Sequence, residues 1–121
     1  MTGAGIAVSA IRHIRLVSSS INDKGKQAVT RWNLETYMAD ADDYLVKTGF
    51  EDRKLACTST RFGNVATATC GFEGLEGAKV VERGVAMYQL YNDGKRWWIN
   101  SVVWERERPG NPIPRDFLPK N

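Results

Sequence analysis

From Glu51 onward, apolar and polar positions alternate with a period of two, the spacing of side chains that point to opposite faces of a strand. RKLACTSTRFGNVATATCGFEG (53–74) reads as a hairpin with Gly63-Asn64 at its turn, glycine in the first central place suiting a two-residue type II′ loop. That turn sets Cys57 directly opposite Cys70. VVERGVAMYQLYNDGKRWWINSVVWERE (80–107) reads as a second hairpin turning on Asp93-Gly94. Its two-residue loop pairs Leu90 with Trp97, Tyr88 with Ile99, Ala86 with Ser101 and Gly84 with Val103. Trp98, Val102 and Trp104 then share the other face, and a solvated sheet face does not normally carry two tryptophans.

Before this region the period differs. AIRHIRLVSSS (10–20) reads as a first strand, and 21–32 as turn-rich around Asp23, Lys24 and Gly25. Leu34, Tyr37, Met38, Ala41, Tyr44, Leu45 and Thr48 recur at helical spacing. Asn33 serves as N-cap and Gly49 as the stop, which predicts a helix over 34–48. Residues 1–9 are a flexible start. All four prolines fall in the tail, 108–121, which cannot continue a central strand. The expected fold is α+β: one domain over 1–121, with a curved, mainly antiparallel sheet of four or five strands packed against a helix.

Composition narrows the chemistry. The chain has 121 residues, 42% of them hydrophobic, enough for a core without disulfides or metal. The net charge of +3 is spread without a basic block or a reading motif, so no nucleic-acid partner is expected. No apolar run approaches the ~20 residues of a membrane span, and no basic n-region precedes the short apolar start. Two cysteines without secretory features point to a reducing cytoplasm and two small buried thiols. A single histidine rules out a His-based metal cluster, and there is no phosphate-cradling glycine loop, nucleophile elbow or CxxC. No metal or cofactor is expected.

RFGNVATATCGFE followed by RGVAMYQLYNDGKRWWINSVVWERERPGNPIP resembles the C-terminal two-thirds of a nuclear transport factor 2-like domain. That superfamily also holds SnoaL-like polyketide cyclases, ketosteroid isomerases and scytalone dehydratase. The recurrent pattern is GNVA, then a hairpin ending in G-(K/R)-W-x-I: here Gly63, Asn64, Val65 and Ala66, then Gly94, Arg96, Trp97 and Ile99. The match spans about residues 10–116, and the tryptophan-rich strand with its ERPGNPIP tail resembles a bacterial branch of uncharacterised function. The resemblance implies a cone in which helices lie against a curved sheet and a pocket opens between them. The family opens with two helices before its first strand; only about nine residues precede AIRHIRLVSSS, so the chain is similar to an N-terminally shortened member.

Within that cone, Tyr37, Ala41, Tyr88, Trp97, Ile99, Ser101 and Val103 are the expected pocket residues. Val85, Met87, Trp98, Val102 and Trp104 are the expected interface with a second copy, since the convex face of such domains commonly pairs. The inward positions of the second hairpin hold no acid, which argues against isomerase-like proton transfer. Tyr37, Tyr88 and Ser101 can donate hydrogen bonds to a ligand oxygen. His13, the one side chain titrating near neutrality, is the weak catalytic candidate. The expected function is a homodimeric module binding a small hydrophobic molecule in a mostly apolar pocket, without assignable catalysis. Two alternatives stand beside it: a cofactor-independent isomerase, cyclase or dehydratase, and an interaction module docking a partner chain on its open side.

Overall fold

The computed structural model describes residues 15–33 and 50–120. Within them lie six strands: β1 (Arg15–Ile21), β2 (Gln27–Asn33), β3 (Phe50–Phe62), β4 (Val65–Glu76), β5 (Lys79–Asn92) and β6 (Trp97–Arg106). They form a single sheet in the order β2-β1-β6-β5-β4-β3. The sheet is mixed, because β1 runs parallel to β6 while the other neighbours are antiparallel. The expected helix over 34–48, and with it Tyr37 and Ala41, lies outside the described residues, as do His13 and the segment 1–9 expected to be flexible.

Residues 27–33 are corrected from turn to strand. The turn is confined to the segment after Ile21, where the Asn22 side-chain oxygen accepts from the backbone N–H groups of Lys24 and Lys26, each at 3.0 Å. That closes the chain back on itself, and QAVTRWN pairs along the whole of β1 from Ile21↔Gln27 to Arg15↔Asn33. The β-branched and aromatic content of this segment suits a pleated surface.

The first long hairpin turns as its sequence implies. Phe62 pairs with Val65 across Gly63-Asn64, and Gly63 takes a φ of 56° that costs an L side chain strain. Cys57 pairs with Cys70, and the two are joined as a disulfide with their Cα atoms 4.1 Å apart, which corrects the expectation of free thiols. Opposed positions on adjacent antiparallel strands bring both sulfurs to one face at short range.

The second hairpin departs from its expected register. Asp93 carries a side chain able to cap its own loop. Its Oδ1 accepts from the backbone N–H of Lys95 (2.9 Å) and Arg96 (3.1 Å), and its Oδ2 from Trp98 Nε1 (2.8 Å). The loop therefore spans 93–96, and the first pairs are Asn92↔Trp97, Tyr91↔Trp98 and Leu90↔Ile99. The next pair is Gln89↔Ser101, so Asn100 is an extra residue on β6. A one-residue bulge turns every following side chain to the opposite face. Ala86 consequently opposes Trp104, and Tyr88 opposes Val102.

This bulge decides where the core lies. One face, the core face, gathers Leu16, Ala68, Ala86, Leu90, Ile99 and Val102, with Phe72, Tyr88, Trp97 and Trp104 packed at their edges. Each of the larger buried aliphatic chains contributes about 1.5–3 kcal/mol of transfer free energy. The other, open face is crossed at one end by the tail. There Ile113 is buried, its N–H donating to Glu107 Oε2 at 3.0 Å. A short 3-10 turn, Arg115–Phe117, follows and packs on β3 and β4. A Cβ on Gly71 would meet the Phe117 carbonyl oxygen at 2.0 Å, so only glycine admits the tail there.

Candidate functional site

The centre of the core face is built from small side chains: Ala68, Cys70 and Ala86 are all buried. Larger neighbours at the margins leave a hollow of about 220 Å³, floored by Leu16, Phe72, Ala86 and Val102 and flanked by Tyr88 and Trp104. Strand pairing arranges its polar end in rungs. Asp52 and Glu82 are the two register neighbours of Gly74, one on β3 and one on β5. With no side chain between them, their carboxyls flank a gap two strand spacings wide, ~10 Å between Cα atoms. The next rung carries Lys54, Phe72 and Gly84. A Cβ on Gly84 would come within 2.9 Å of the Phe72 ring, so the ring lies across that glycine.

Electrostatics set the two acids apart from the other described carboxyls. Asp52 is an exposed residue at the rim of the hollow; partial desolvation there raises its carboxyl above the ordinary value, and the Lys54 ammonium only partly offsets it. Glu82 is also raised, first by burial, while the Arg106 guanidinium pulls it down and Asp52 pushes it up. Arg106 Nε lies 2.6 Å from Glu82 Oε2. The Lys54 ammonium stands 5.7 Å from the centre of the Tyr88 ring, a cation over an aromatic face. An apolar floor with acids at one end can hold an apolar body and exchange a proton or a hydrogen bond with its polar end. Among the described residues no group of three or more His, Cys, Asp or Glu is arranged to hold a metal ion.

Of the expected pocket residues, Tyr88 lines this hollow, and Trp97 and Ile99 sit on the core face beside it. The Arg61 guanidinium covers the Trp97 ring, 4.9 Å from its centre. Ser101 and Val103 are corrected to the open face by the Asn100 bulge; the Ser101 hydroxyl donates to Gln89 Oε1 at 2.7 Å, and Val103 is 45% exposed. The same bulge corrects two expected interface residues. Val102 and Trp104 belong to the core face, and Val102 is 8% exposed. Val85, Met87 and Trp98 do lie on the open face, where the Arg96 guanidinium stacks 4.6 Å over the Trp98 ring. Asp52 and Glu82 were missed as site residues because they stand before and after Gly74 on neighbouring strands, far apart in sequence. A signal was present: both fall at even positions, as do Lys54, Phe72 and Gly84, which share the face once the register is known.

The open face has its own character. Charges gather at its tail end and pair with one another. Arg53 binds Glu73, Arg83 approaches Glu73 and Glu107 at 3.7 Å each, and Glu105 Oε2 accepts from Arg108 and Asn111 at 2.7 Å. Hydrogen bonds from Arg108 hold the Glu105 carboxyl below its ordinary value. Toward the tips of the long hairpins Phe62, Val65, Met87, Tyr91 and Val103 are exposed on this face, with Arg15 and Arg31 on β1 and β2 and Arg96 over Trp98 as the charges at its margin. Beneath the tail a second hollow of about 360 Å³ is floored by Val85, Met87 and Val103. No helix among the described residues is long and apolar enough to cross a membrane.

No family model matches the chain, and no curated protein matches its sequence. Solved structures do. An NTF2-like protein of unknown function from Shewanella baltica OS155 superposes with a TM-score of 0.55 at 10% identity, covering 84% of this chain and 74% of its own. The beta subunit of benzoate 1,2-dioxygenase from Burkholderia mallei ATCC 23344 gives 0.56 at 10% identity, over 92% and 80%. A candidate ketosteroid isomerase from Shewanella frigidimarina NCIMB 400 gives 0.50 at 20% identity, over 81% and 77%. At these identities the likeness is one of fold, and the fold is nuclear transport factor 2-like, as the sequence resemblance implies.

Proposed function

We propose that this chain, a nuclear transport factor 2-like fold, is a homodimeric module that binds a small, largely apolar molecule on its core face. One observation carries the reading: the hollow between Tyr88 and Trp104 has an apolar floor and gathers its charged residues, Asp52, Arg53, Lys54 and Glu82, on the β3 and β5 segments at one end. About 220 Å³ suits a one- or two-ring molecule rather than a sterol. The test is a titration with 2-naphthol, followed by tryptophan fluorescence. Ala86→Leu fills the hollow and should weaken binding at least tenfold, whereas Val85→Leu, on the other face, should leave it unchanged. Equal affinities in the two variants would refute the placement.

The dimer belongs to the open face. Six strands ~4.8 Å apart and about seven residues of ~3.4 Å along each give a plan area on the order of 700 Å². A standard interface buries about 800 Å² per partner. The exposed apolar centre, Phe62, Val65, Met87, Tyr91 and Val103, can face its own copy with Arg15, Arg31 and Arg96 left at the margin, and two-fold symmetry makes one patch cover the other.

A second reading is favoured by Asp52 specifically. A carboxyl raised by partial desolvation beside an apolar hollow suits cofactor-independent proton transfer, the chemistry of an isomerase or dehydratase. The likeness to a candidate ketosteroid isomerase is compatible with it. Exchange of the α-hydrogens of 1-indanone into deuterated water tests it: catalysis by the wild type should fall about 100-fold or more in Asp52→Asn. Exchange no faster than the buffer background leaves binding as the function.

A further inference from the structure

The Cys57–Cys70 disulfide stands where β3 changes register. Before it the pairing runs Lys54↔Phe72, and from it onward Cys57↔Cys70, so Leu55 and Ala56 together oppose Gly71. A bulge of this kind interrupts the hydrogen-bond ladder. The segment beyond it, from Phe50 to Lys54, belongs to the strand at the edge of the described sheet, where β4 is its one neighbour among the described residues. That segment carries Asp52 and Lys54, the polar wall of the hollow. Cys70 is fully buried (0% exposed), one rung from Phe72, whereas Cys57 is half-buried. On the opposite face the tail is seated on Gly71, the residue facing the bulge. The covalent link thus fastens the edge strand at the point where its backbone pairing is weakest.

We propose that this disulfide is a redox-labile clamp on the wall of the ligand site. Closed, it holds 50–54 in register and keeps Asp52 over the hollow. Opened, it frees that edge segment and weakens binding. The reductant is a dithiol. One of its thiolates attacks the sulfur of Cys57, the more accessible of the two, and the S–S bond breaks with Cys70 leaving as a thiolate. The second thiol of the reductant then attacks its own sulfur in the mixed disulfide and releases Cys57. The two protons lost by the reductant are taken up by the two protein thiolates, so a protein disulfide and a dithiol become a protein dithiol and a cyclic disulfide.

The affinity readout rests on the ligand-binding reading; a second readout, amide hydrogen exchange, does not. The full chain is compared before and after dithiothreitol, with two thiols per chain confirmed by titration. On reduction, amides 52–56 should exchange at least tenfold faster while those of β5 and β6 are unchanged, and 2-naphthol should bind at least tenfold more weakly. Cys57→Ser should behave as the reduced protein in either buffer. Failure of the oxidised protein to bind 2-naphthol would refute the binding reading and leave the exchange result to decide the clamp. Unchanged exchange at 52–56 in fully reduced protein, or exchange accelerated equally through the whole sheet, would overturn the clamp.

Discussion

Replacing Val102 and Val103 in turn with threonine interrogates the bulge at Asn100, on which the assignment of every site residue in β6 depends. Threonine matches valine in shape and strand preference, so the comparison isolates the cost of placing a hydroxyl. Val102 is 8% exposed and packs with Leu16, Ala86 and Leu90. A hydroxyl left without a partner in such surroundings costs about 1–3 kcal/mol. Val103 is 45% exposed in the single chain, so at a concentration where the chain is monomeric its hydroxyl reaches water and the change should stay within ~0.5 kcal/mol. For a chain of this length 1 kcal/mol moves the midpoint by roughly 4 °C, giving about 4–12 °C for Val102→Thr and ~2 °C or less for Val103→Thr. Urea unfolding at two protein concentrations supplies the measurement, the second concentration separating association from folding. An unbulged strand exchanges the two roles. A loss at 103 equal to or larger than that at 102 would refute the register and the faces drawn from it.

Acidity gives a second test. Because partial desolvation raises Asp52 above 3.8 in the folded chain, the native state holds a proton that the unfolded state releases. Its contribution is therefore fully present below pH 3.8 and is lost as pH rises through the raised value. Asp52→Asn should accordingly gain stability relative to wild type between pH 4 and pH 7, measured by urea titration; a difference that is flat with pH would contradict a raised carboxyl. Asp93 runs the other way, held below its ordinary value chiefly by the Lys95 N–H, with Trp98 Nε1–H and the Arg96 N–H assisting. Acidification below pH 3.8 should therefore loosen the loop and alter Trp98 emission, an effect absent in Asp93→Asn. Gly71→Ala drives a methyl into the Phe117 carbonyl, at a cost of about 1–3 kcal/mol, and should expose Arg115 to trypsin; unchanged cleavage would mean the tail does not depend on that contact. Met87→Arg, at a side chain 56% exposed in the apolar centre of the open face, should yield monomers by light scattering; a wild type already monomeric at micromolar concentration would remove the dimer.

Much of the sheet can be read from its turns. Gly63-Asn64 fixes the first hairpin because a positive φ is needed there, and with it the opposition of Cys57 and Cys70. The second hairpin shows why the rest was hidden. Asp-Gly normally signals a two-residue loop, but Asp93 satisfies three donors and lengthens the loop by two residues, a shift that preserves the faces. Asn100 then shifts the pairing by one, which reverses them. Nothing in NSVVWE marks which residue is extra, since Ser101 and Val103 alternate as plausibly as Val102 and Trp104. The tryptophan problem resolves in the same step: Trp104 turns into the core, and Trp98 remains outside under Arg96 and Asp93. The acids of the site were illegible for a different reason. Asp52 and Glu82 meet only across Gly74, a contact of the completed sheet and not of any local motif.

The central claim is that the ligand site is the hollow on the core face, and methyl-resolved NMR during a 2-naphthol titration tests it most directly. Ala86 and Val102 line that hollow, while Val85, Met87 and Val103 line the one beneath the tail. The account predicts saturable shifts at Ala86 and Val102 with the Val85, Met87 and Val103 methyls unmoved. Shifts confined to Val85, Met87 and Val103, or none at any of the five, would contradict it.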